Sequence, residues 1–206
     1  MKTNDERLND ILNRLDSLSY IKLEKIPDID LYMDQVTSSM EEHLKKAKRN
    51  PEDKALTKTM INNYAKNNLL PPPVRKKYGK EHIILLLFIY YYKNLLSFSD
   101  IEQLLGPITE KHFDASAELP LAAVYEEVFS LEKRQMERLK EDVKAKFEAS
   151  RETFPDTSAD DKEYLQLFTF ISELSFDIYL KKQMVEMMID QLRDENPPER
   201  DKKKKR

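Results

Sequence analysis

Apolar residues recur every three or four positions along most of this chain, which is the spacing of one face of an α-helix. Seven segments follow that spacing or lie between clear helix start and stop signals. They are residues 6–24, 31–45, 57–67, 80–94, 96–105, 121–149 and 159–194. The composition agrees, because Leu, Ile, Glu, Lys and Met dominate it and favour helix. The pattern predicts an all-α fold.

Turn and capping residues separate these segments. Pro27 is expected to end the first helix, and Gly106-Pro107 is expected to end the fifth. Ser97 with Asp100, or Ser99 with Glu102, fits the capping pattern at the start of that fifth helix. Asn68 suits the left-handed conformation that often follows a helix.

The most apolar segment, IILLLFIYYY at 83–92, predicts a core helix. Its ten residues are about half of the ~20 that span a bilayer. The N-terminal residues alternate charge with leucine and lack the apolar run of a signal peptide. No membrane partner is expected, and the predicted location is the cytoplasm.

The last long helix carries more apolar surface than one neighbouring helix would cover. Its main stripe keeps a 3–4 alternation that only Lys181 interrupts, and a second apolar row widens it. Such a helix needs burial on two sides, which predicts a homodimer through the C-terminal half. The basic tail, 196–206, is expected to be disordered.

Charge is unevenly distributed along the chain. Residues 54–82 contain seven bases and one acid, whereas residues 99–201 contain 25 acids and 13 bases. The asymmetry suggests that one half faces a polyanion. Solvated helix faces are the alternative explanation.

The sequence contains no sign of catalytic or metal chemistry. There is no cysteine, and His43, His82 and His112 lack a second histidine at helical ligand spacing. No glycine-rich loop or nucleophile motif occurs. We therefore expect neither an enzyme nor a cofactor nor a metal site.

The segment around 57–80 carries the candidate binding residues. In helix 57–67, Ile61 and Tyr64 share one face, and polar side chains suited to phosphates and base edges occupy the other. Pro71-Pro72-Pro73 then leads into a basic segment. The predicted DNA-contacting residues are Lys58, Thr59, Asn62, Asn63 and Lys66 on the helix, with Arg75, Lys76, Lys77 and Lys80 after it.

The run MINNYAKNNLLPPPVRKKYGKEHIILLLFIYYYKNLLSFSDIEQLL, residues 60–105, resembles the DNA-binding domain of the MerR family of bacterial regulators. Leu69-Leu70-Pro71-Pro72 matches that family's pattern unchanged, and Tyr64 takes the place of its second tyrosine. Residues 78–83 stand where the family's wing returns into a helix, and 96–101 match the next helix start. The likeness spans about residues 31–105. It extends to a group of bacterial proteins, mainly Gram-positive, that share this variant domain of unknown function.

The resemblance implies a winged helix-turn-helix domain over 28–106. The helical spacing before it predicts an amphipathic arm at 1–27, and the helices after it would form a dimerisation or effector-sensing domain at 107–195. It implies a transcriptional regulator whose recognition helix, 57–67, enters the major groove of double-stranded DNA. No effector is indicated.

Several positions depart from the family's pattern. Asn62 and Asn63 stand where the family has Arg and Tyr, Asn68 replaces a capping Gly, and the wing is shorter by several residues. The short wing and the acidic C-terminal half favour an alternative, a helical protein-interaction module that kept the fold but lost DNA binding.

Overall fold

The computed structural model describes residues 2–195, so the predicted disordered tail lies outside the described residues. The described chain is helical apart from one two-stranded sheet, which confirms the predicted all-α class. The helices are α1 Asn4–Ser17, α2 Met33–Leu44, α3 Lys58–Lys66, α4 Lys80–Tyr92, α5 Phe98–His112, α6 Leu121–Ser130, α7 Glu132–Arg151 and α8 Ala159–Glu195. Short 3₁₀ turns occupy Leu23–Lys25 and Lys45–Ala47, and strands β1 Leu31–Tyr32 and β2 Lys77–Tyr78 pair antiparallel.

The described chain divides into two compact units. The first consists of the residues up to Ser19 together with Ser130–Met184, so it contains α1, α7 and most of α8. Its small core consists of Leu8, Val143, Phe147 and Phe170. The Phe147 and Phe170 rings meet edge to face, with centroids 5.4 Å apart.

The second unit consists of Tyr20–Phe129 and the described residues from Val185 onward. Its core is built around α4, in which every residue from His82 to Ile89 is buried. A helix that is apolar all round has to be enclosed, and residues from α2, α3, α5, α6 and the end of α8 enclose this one. The core helix expected at 80–94 is confirmed.

Two local predictions of cap geometry are also confirmed. At the start of α5, the Asp100 backbone N–H donates to the Ser97 hydroxyl at 3.2 Å, and the Ser97 N–H donates to the Asp100 carboxylate at 3.1 Å. After α3, Asn68 has φ 60°, and the N–H groups of Leu69 and Leu70 both donate to the Tyr64 carbonyl. Both caps supply partners for backbone groups that a helix end leaves free.

The prediction that Gly106-Pro107 ends α5 was wrong, because the helix continues to His112 with Pro107 inside it. A proline ring normally clashes with the Cβ of the residue before it and drives that residue out of helical geometry. Gly106 has no Cβ, so this clash is absent. The extra turn is held because Ile108 and Phe113 pack against the core of the second unit.

Two predicted helices are shorter than their apolar pattern suggested. The helix expected over 121–149 is interrupted at Leu131, and the one expected over 6–24 ends at Ser17. In both cases the chain passes from one core to the other at the break. Tyr125 and Ile21 belong to the core of the second unit, whereas Phe147 and Leu8 belong to that of the first. Periodicity alone does not reveal such a change of partner.

Candidate nucleic-acid interface

Helix α3 is anchored by one apolar face and displays a polar one. Thr57 caps its start by accepting the Met60 N–H at 3.2 Å, and Ile61 is fully buried. Tyr64 is half-buried and its ring stacks on that of Phe98. The opposite face is exposed, and its side chains make no hydrogen bond or ion pair with another described residue. It consists of Thr59, Asn62, Asn63 and Lys66.

Two of the predicted cationic contacts are engaged within the chain. Lys58 forms an ion pair with Asp34, and Lys80 donates to the Asp28 carboxylate at 3.1 Å. All of these side chains except that of Lys80 are more than half exposed. The pairs neutralise these two lysines in part, so they contribute less positive potential than the sequence suggested.

The chain leaves α3 through two buried leucines, Leu69 and Leu70, and then forms a hairpin over residues 74–77. The Val74 N–H donates to the Lys77 carbonyl at 3.1 Å, and the Lys77 N–H donates to the Val74 carbonyl at 2.9 Å. Two residues therefore form the entire turn, which is the common short loop of a β-hairpin.

Both turn residues, Arg75 and Lys76, are left-handed, with φ 51° and 64°. This is the geometry of a type I′ turn, which favours Asn-Gly because other side chains are strained there. Both side chains are exposed and make no ion pair with another described residue. The hairpin tip thus presents two adjacent free cations at a cost in local backbone energy.

The hairpin continues into the small sheet and gives it two distinct faces. Leu31 pairs with Tyr78, and both side chains are buried in the core. Tyr32 pairs with Lys77, which is bridged in turn to Val74. Directly paired residues share a face, so these three lie together on the other side. The ammonium of Lys77 is 5.3 Å from the centroid of the Tyr32 ring.

Tyr32 is the residue of this surface that sequence reasoning missed. It is 53% exposed, although it comes directly before an amphipathic helix and far from the basic segment in the chain. Only the pairing of β1 with β2 brings it beside Lys77. The register of two such short strands leaves no local pattern in the sequence.

His82 supports the base of the hairpin from the first turn of α4. The Gly79 N–H donates to its Nδ1 at 3.1 Å, and its ring lies edge-on to those of Tyr78 and Phe113. Burial lowers the pKa of His82, although the nearby Pro72 and Pro71 carbonyls and the charges of Glu81 and Asp30 act in the opposite direction. The ring is therefore neutral at pH 7, with Nδ1 free to accept.

A different kind of surface lies on the α8 segment of the first unit. Between residues 164 and 184, eight large apolar side chains are 45–68% exposed. Tyr164, Phe168, Ile171 and Ile178 follow a 4-3-7 spacing, which places them in one stripe along the helix. Phe170, by contrast, points into the core of its own unit and is 3% exposed.

Within residues 2–195, no three His, Asp or Glu side chains are grouped so that they could hold a metal ion. Across the same described residues, no helix has both the length and the apolar content needed to cross a bilayer.

Comparison with known proteins identifies one family. No curated protein and no solved structure matches the chain. Residues 21–128 match the domain of unknown function DUF1836. These limits lie within one residue at each end of Tyr20–Phe129, the larger part of the second unit, which carries α3 and the hairpin. Since the match takes in more than half of the 206 residues, the protein belongs to the DUF1836 family.

Proposed function

We propose that this protein is a bacterial transcriptional regulator that binds double-stranded DNA through a MerR-like winged helix-turn-helix. Helix α3 would be the recognition helix in the major groove, and the hairpin over residues 74–77 would be a minimal wing on the phosphates. The C-terminal helices would serve dimerisation or effector sensing.

The observation that carries this proposal is the pair of left-handed cations at the hairpin tip, Arg75 and Lys76. Non-glycine residues in this conformation cost on the order of 1 kcal/mol each. Folding alone would favour Asn-Gly at these positions. Two exposed cations that form no ion pair among the described residues, held in this conformation at such a cost, support a role in binding an anion, and a phosphate backbone is a repeated anion.

The polar face of α3 supports the same function. Thr59, Asn62, Asn63 and Lys66 are exposed and unengaged within the described residues, and amides and ammoniums of this kind bind base edges and phosphates. Arg75 comes nine positions after Lys66, which limits their Cα distance to roughly 30 Å. One turn of DNA is about 34 Å long, so both elements are within reach of one such stretch of duplex.

We further propose that the regulator is a homodimer, because a helix of nine residues contacts too few base pairs for useful specificity. The exposed stripe on α8 gives this dimer a surface. The four side chains of the stripe, with roughly 100 Å² exposed each, would contribute on the order of 400 Å² per copy, about half the area of a standard stable interface. The 4-3 spacing also suits pairing with an identical helix.

The second candidate is a helical protein-interaction module without DNA binding. The ion pairs of Lys58 with Asp34 and Lys80 with Asp28 favour it, because they offset part of the positive charge near the proposed site. The exposed apolar residues of α8 would then receive a different protein rather than a second copy.

The deciding experiment is selection of the full chain on random-sequence duplex DNA, followed by affinity measurements at several salt concentrations. We expect an enriched palindrome. Removing Arg75, Lys76 and Lys77 as a triple alanine variant should lower affinity for all sequences and reduce the salt slope by roughly one unit per contact. Its matched control removes Lys133, Arg134 and Arg138, three exposed cations of α7, and should bind like the parent. No enrichment, or equal loss in both variants, would exclude the proposal.

The dimer is tested without DNA. Light scattering at micromolar concentration should give twice the chain mass of 24.4 kDa, and Ile171→Glu should halve it. Because the chain has no cysteine, Ile171→Cys is a clean reporter. Ile171 is midway between Tyr164 and Ile178, so it meets its own copy in a parallel or an antiparallel pair. Oxidation should cross-link Ile171→Cys but not the α7 control Leu139→Cys, and a parent that stays monomeric would exclude this dimer.

A further inference from the structure

We propose that Tyr32 is an additional DNA-contacting residue, whose hydroxyl donates a hydrogen bond to a backbone phosphate beside the hairpin cations. This inference rests on the proposed function and adds to it a neutral contact from a strand outside the basic segment. Tyr32 is not among the positions that match the MerR pattern, so this inference does not follow from the sequence resemblance.

The placement of Tyr32 is fixed by strand pairing rather than by its neighbours in the chain. Leu31 turns into the core at 5% exposure, so the next side chain on this strand has to point outward. The antiparallel register then sets Tyr32 opposite Lys77, and the bridge from Lys77 to Val74 completes a row of three. Arg75 and Lys76 form the turn that connects Val74 to Lys77, so they lie next to that row.

The Tyr32 side chain is available for an external ligand. It is 53% exposed, and its hydroxyl makes no hydrogen bond with another described residue. Its backbone is held firmly, because the Tyr32 N–H donates to the Gln35 side chain at 2.9 Å at the start of α2. The residue therefore combines a fixed backbone with a free phenol.

The contact with Lys77 gives the phenol a charged neighbour. With its ammonium 5.3 Å from the ring centroid, Lys77 is held at a defined position by a cation–π interaction. An anion drawn to that ammonium comes close to the phenolic O–H as well. Val74, which is 71% exposed, adds an apolar contact surface in the same row that suits a deoxyribose.

A neutral donor and a cation leave different signatures in DNA binding. Each ammonium or guanidinium that neutralises a phosphate releases counterions and so contributes about one unit to the salt slope. A phenol releases none. Loss of the Tyr32 hydroxyl should therefore lower affinity at every salt concentration without changing the slope, whereas loss of Lys77 should change both.

The experiment compares Tyr32→Phe with Lys77→Met in the full chain, using the selected duplex and a random duplex. Phenylalanine keeps the ring, the strand pairing and the cation–π contact, so the variant should melt like the parent. We expect a loss of about ten- to hundredfold in affinity, the range for one hydrogen bond to a charged group, on both duplexes and with an unchanged salt slope. The control is Tyr90→Phe on α4, another tyrosine with a lysine over its ring (Lys93, 5.0 Å from the centroid), which should bind like the parent.

The outcomes separate this inference from the function on which it rests. If the parent binds DNA and the triple alanine variant of the hairpin loses salt dependence, but Tyr32→Phe binds like the parent, only the role of Tyr32 is overturned. A reduced salt slope in Tyr32→Phe would also overturn it, since the hydroxyl would then act through Lys77. If the parent shows no salt-dependent DNA binding at all, both proposals fail together.

Discussion

The guanidinium of Arg193, near the end of α8, donates to the carboxylate of Asp100 at 2.8 Å. The two residues are 93 positions apart and belong to the same unit. Asp100 also serves in the cap at the start of α5, so one carboxylate holds two helix ends. Burial alone would raise the pKa of Asp100, but hydrogen bonds from Ser97 and Arg193 outweigh it and hold the pKa below its usual value.

Arg193→Ala should lower the free energy of unfolding by about 1.5–3 kcal/mol, the range for hydrogen bonds to a charged group. The control is Arg151→Ala, which breaks the exposed pair with Asp5 and should cost well under about 1 kcal/mol. The pKa of Asp100 is lower in the folded chain than in the unfolded chain. Ionised Asp100 therefore stabilises the fold fully above the unfolded pKa of about 3.9, and this stabilisation is lost as the pH falls below that value. Urea titrations at pH 7 and pH 3 measure both effects, and equal costs for the two variants would contradict the prediction.

Replacing Arg75 by Asn and Lys76 by Gly should stabilise the protein and weaken DNA binding at the same time. The hairpin would gain its preferred turn residues, which we expect to be worth about 1–2 kcal/mol. It would lose two phosphate contacts, and with them roughly two units of salt slope. Thermal melting and DNA affinity, both measured on this double variant, test the two expectations. The charge-preserving exchange Arg75→Lys with Lys76→Arg should match the parent in both, and a stabilised variant with undiminished affinity would mean that the tip does not contact DNA.

Base recognition and folding should separate along α3. Asn62→Ala and Asn63→Ala remove exposed amides, and because alanine favours helix, stability should hold or rise by a few tenths of a kcal/mol. Each should cost about 1–3 kcal/mol of sequence discrimination if its amide pairs with a base edge. Ile61→Ala should cost roughly 2–5 kcal/mol of stability, because that side chain is fully buried. If both asparagine variants recognise the selected sequence as well as the parent does, α3 does not recognise bases.

The stability of the second unit should fall as the pH is lowered from 7.5 to 5.5. Burial lowers the pKa of His82 below its unfolded value of about 6.5, so protonation favours the unfolded chain. The stability that neutral His82 contributes is therefore fully present above the unfolded pKa of about 6.5 and is lost as the pH falls below it. Urea titrations of the parent and of His82→Leu across this range test the prediction. The variant should lose the dependence, whereas His112→Gln, which alters a partly buried ring at the end of α5, should retain it. A parent with flat stability over this range would contradict it.

Features set by local chemistry were predictable from the sequence. The Ser97–Asp100 cap, the left-handed Asn68 and the buried α4 each follow from residues within one or two helical turns. The features that were missed depend on distant partners. Pro107 stays helical because Gly106 precedes it and a core lies beyond it, and Leu131 interrupts a regular pattern because the chain changes cores there.

The candidate site divides in the same way. The exposed face of α3 was predictable from helical spacing, because Ile61 fixes which side is buried. The left-handed turn was not, because Arg75 and Lys76 lack the Asn-Gly signature of that geometry. The place of Tyr32 beside Lys77 depends on the pairing of two distant strands. The ion pairs of Lys58 and Lys80 depend on tertiary contacts with Asp34 in the first turn of α2 and Asp28 in the segment before it.

Both units are assembled from separated stretches of chain, and this sets an order of events during synthesis. The first unit joins α1 to α7 and α8, and the second closes only when Ile189 and Arg193 reach the residues they pack against. While the ribosome is still translating the final helix, the segment 20–129 has already emerged without its last core residue. Contacts over such separations slow folding, and the nascent chain exposes apolar surface until then. Growth temperature and chaperone supply should therefore affect the yield of soluble protein more strongly than they would for a domain encoded by one continuous segment.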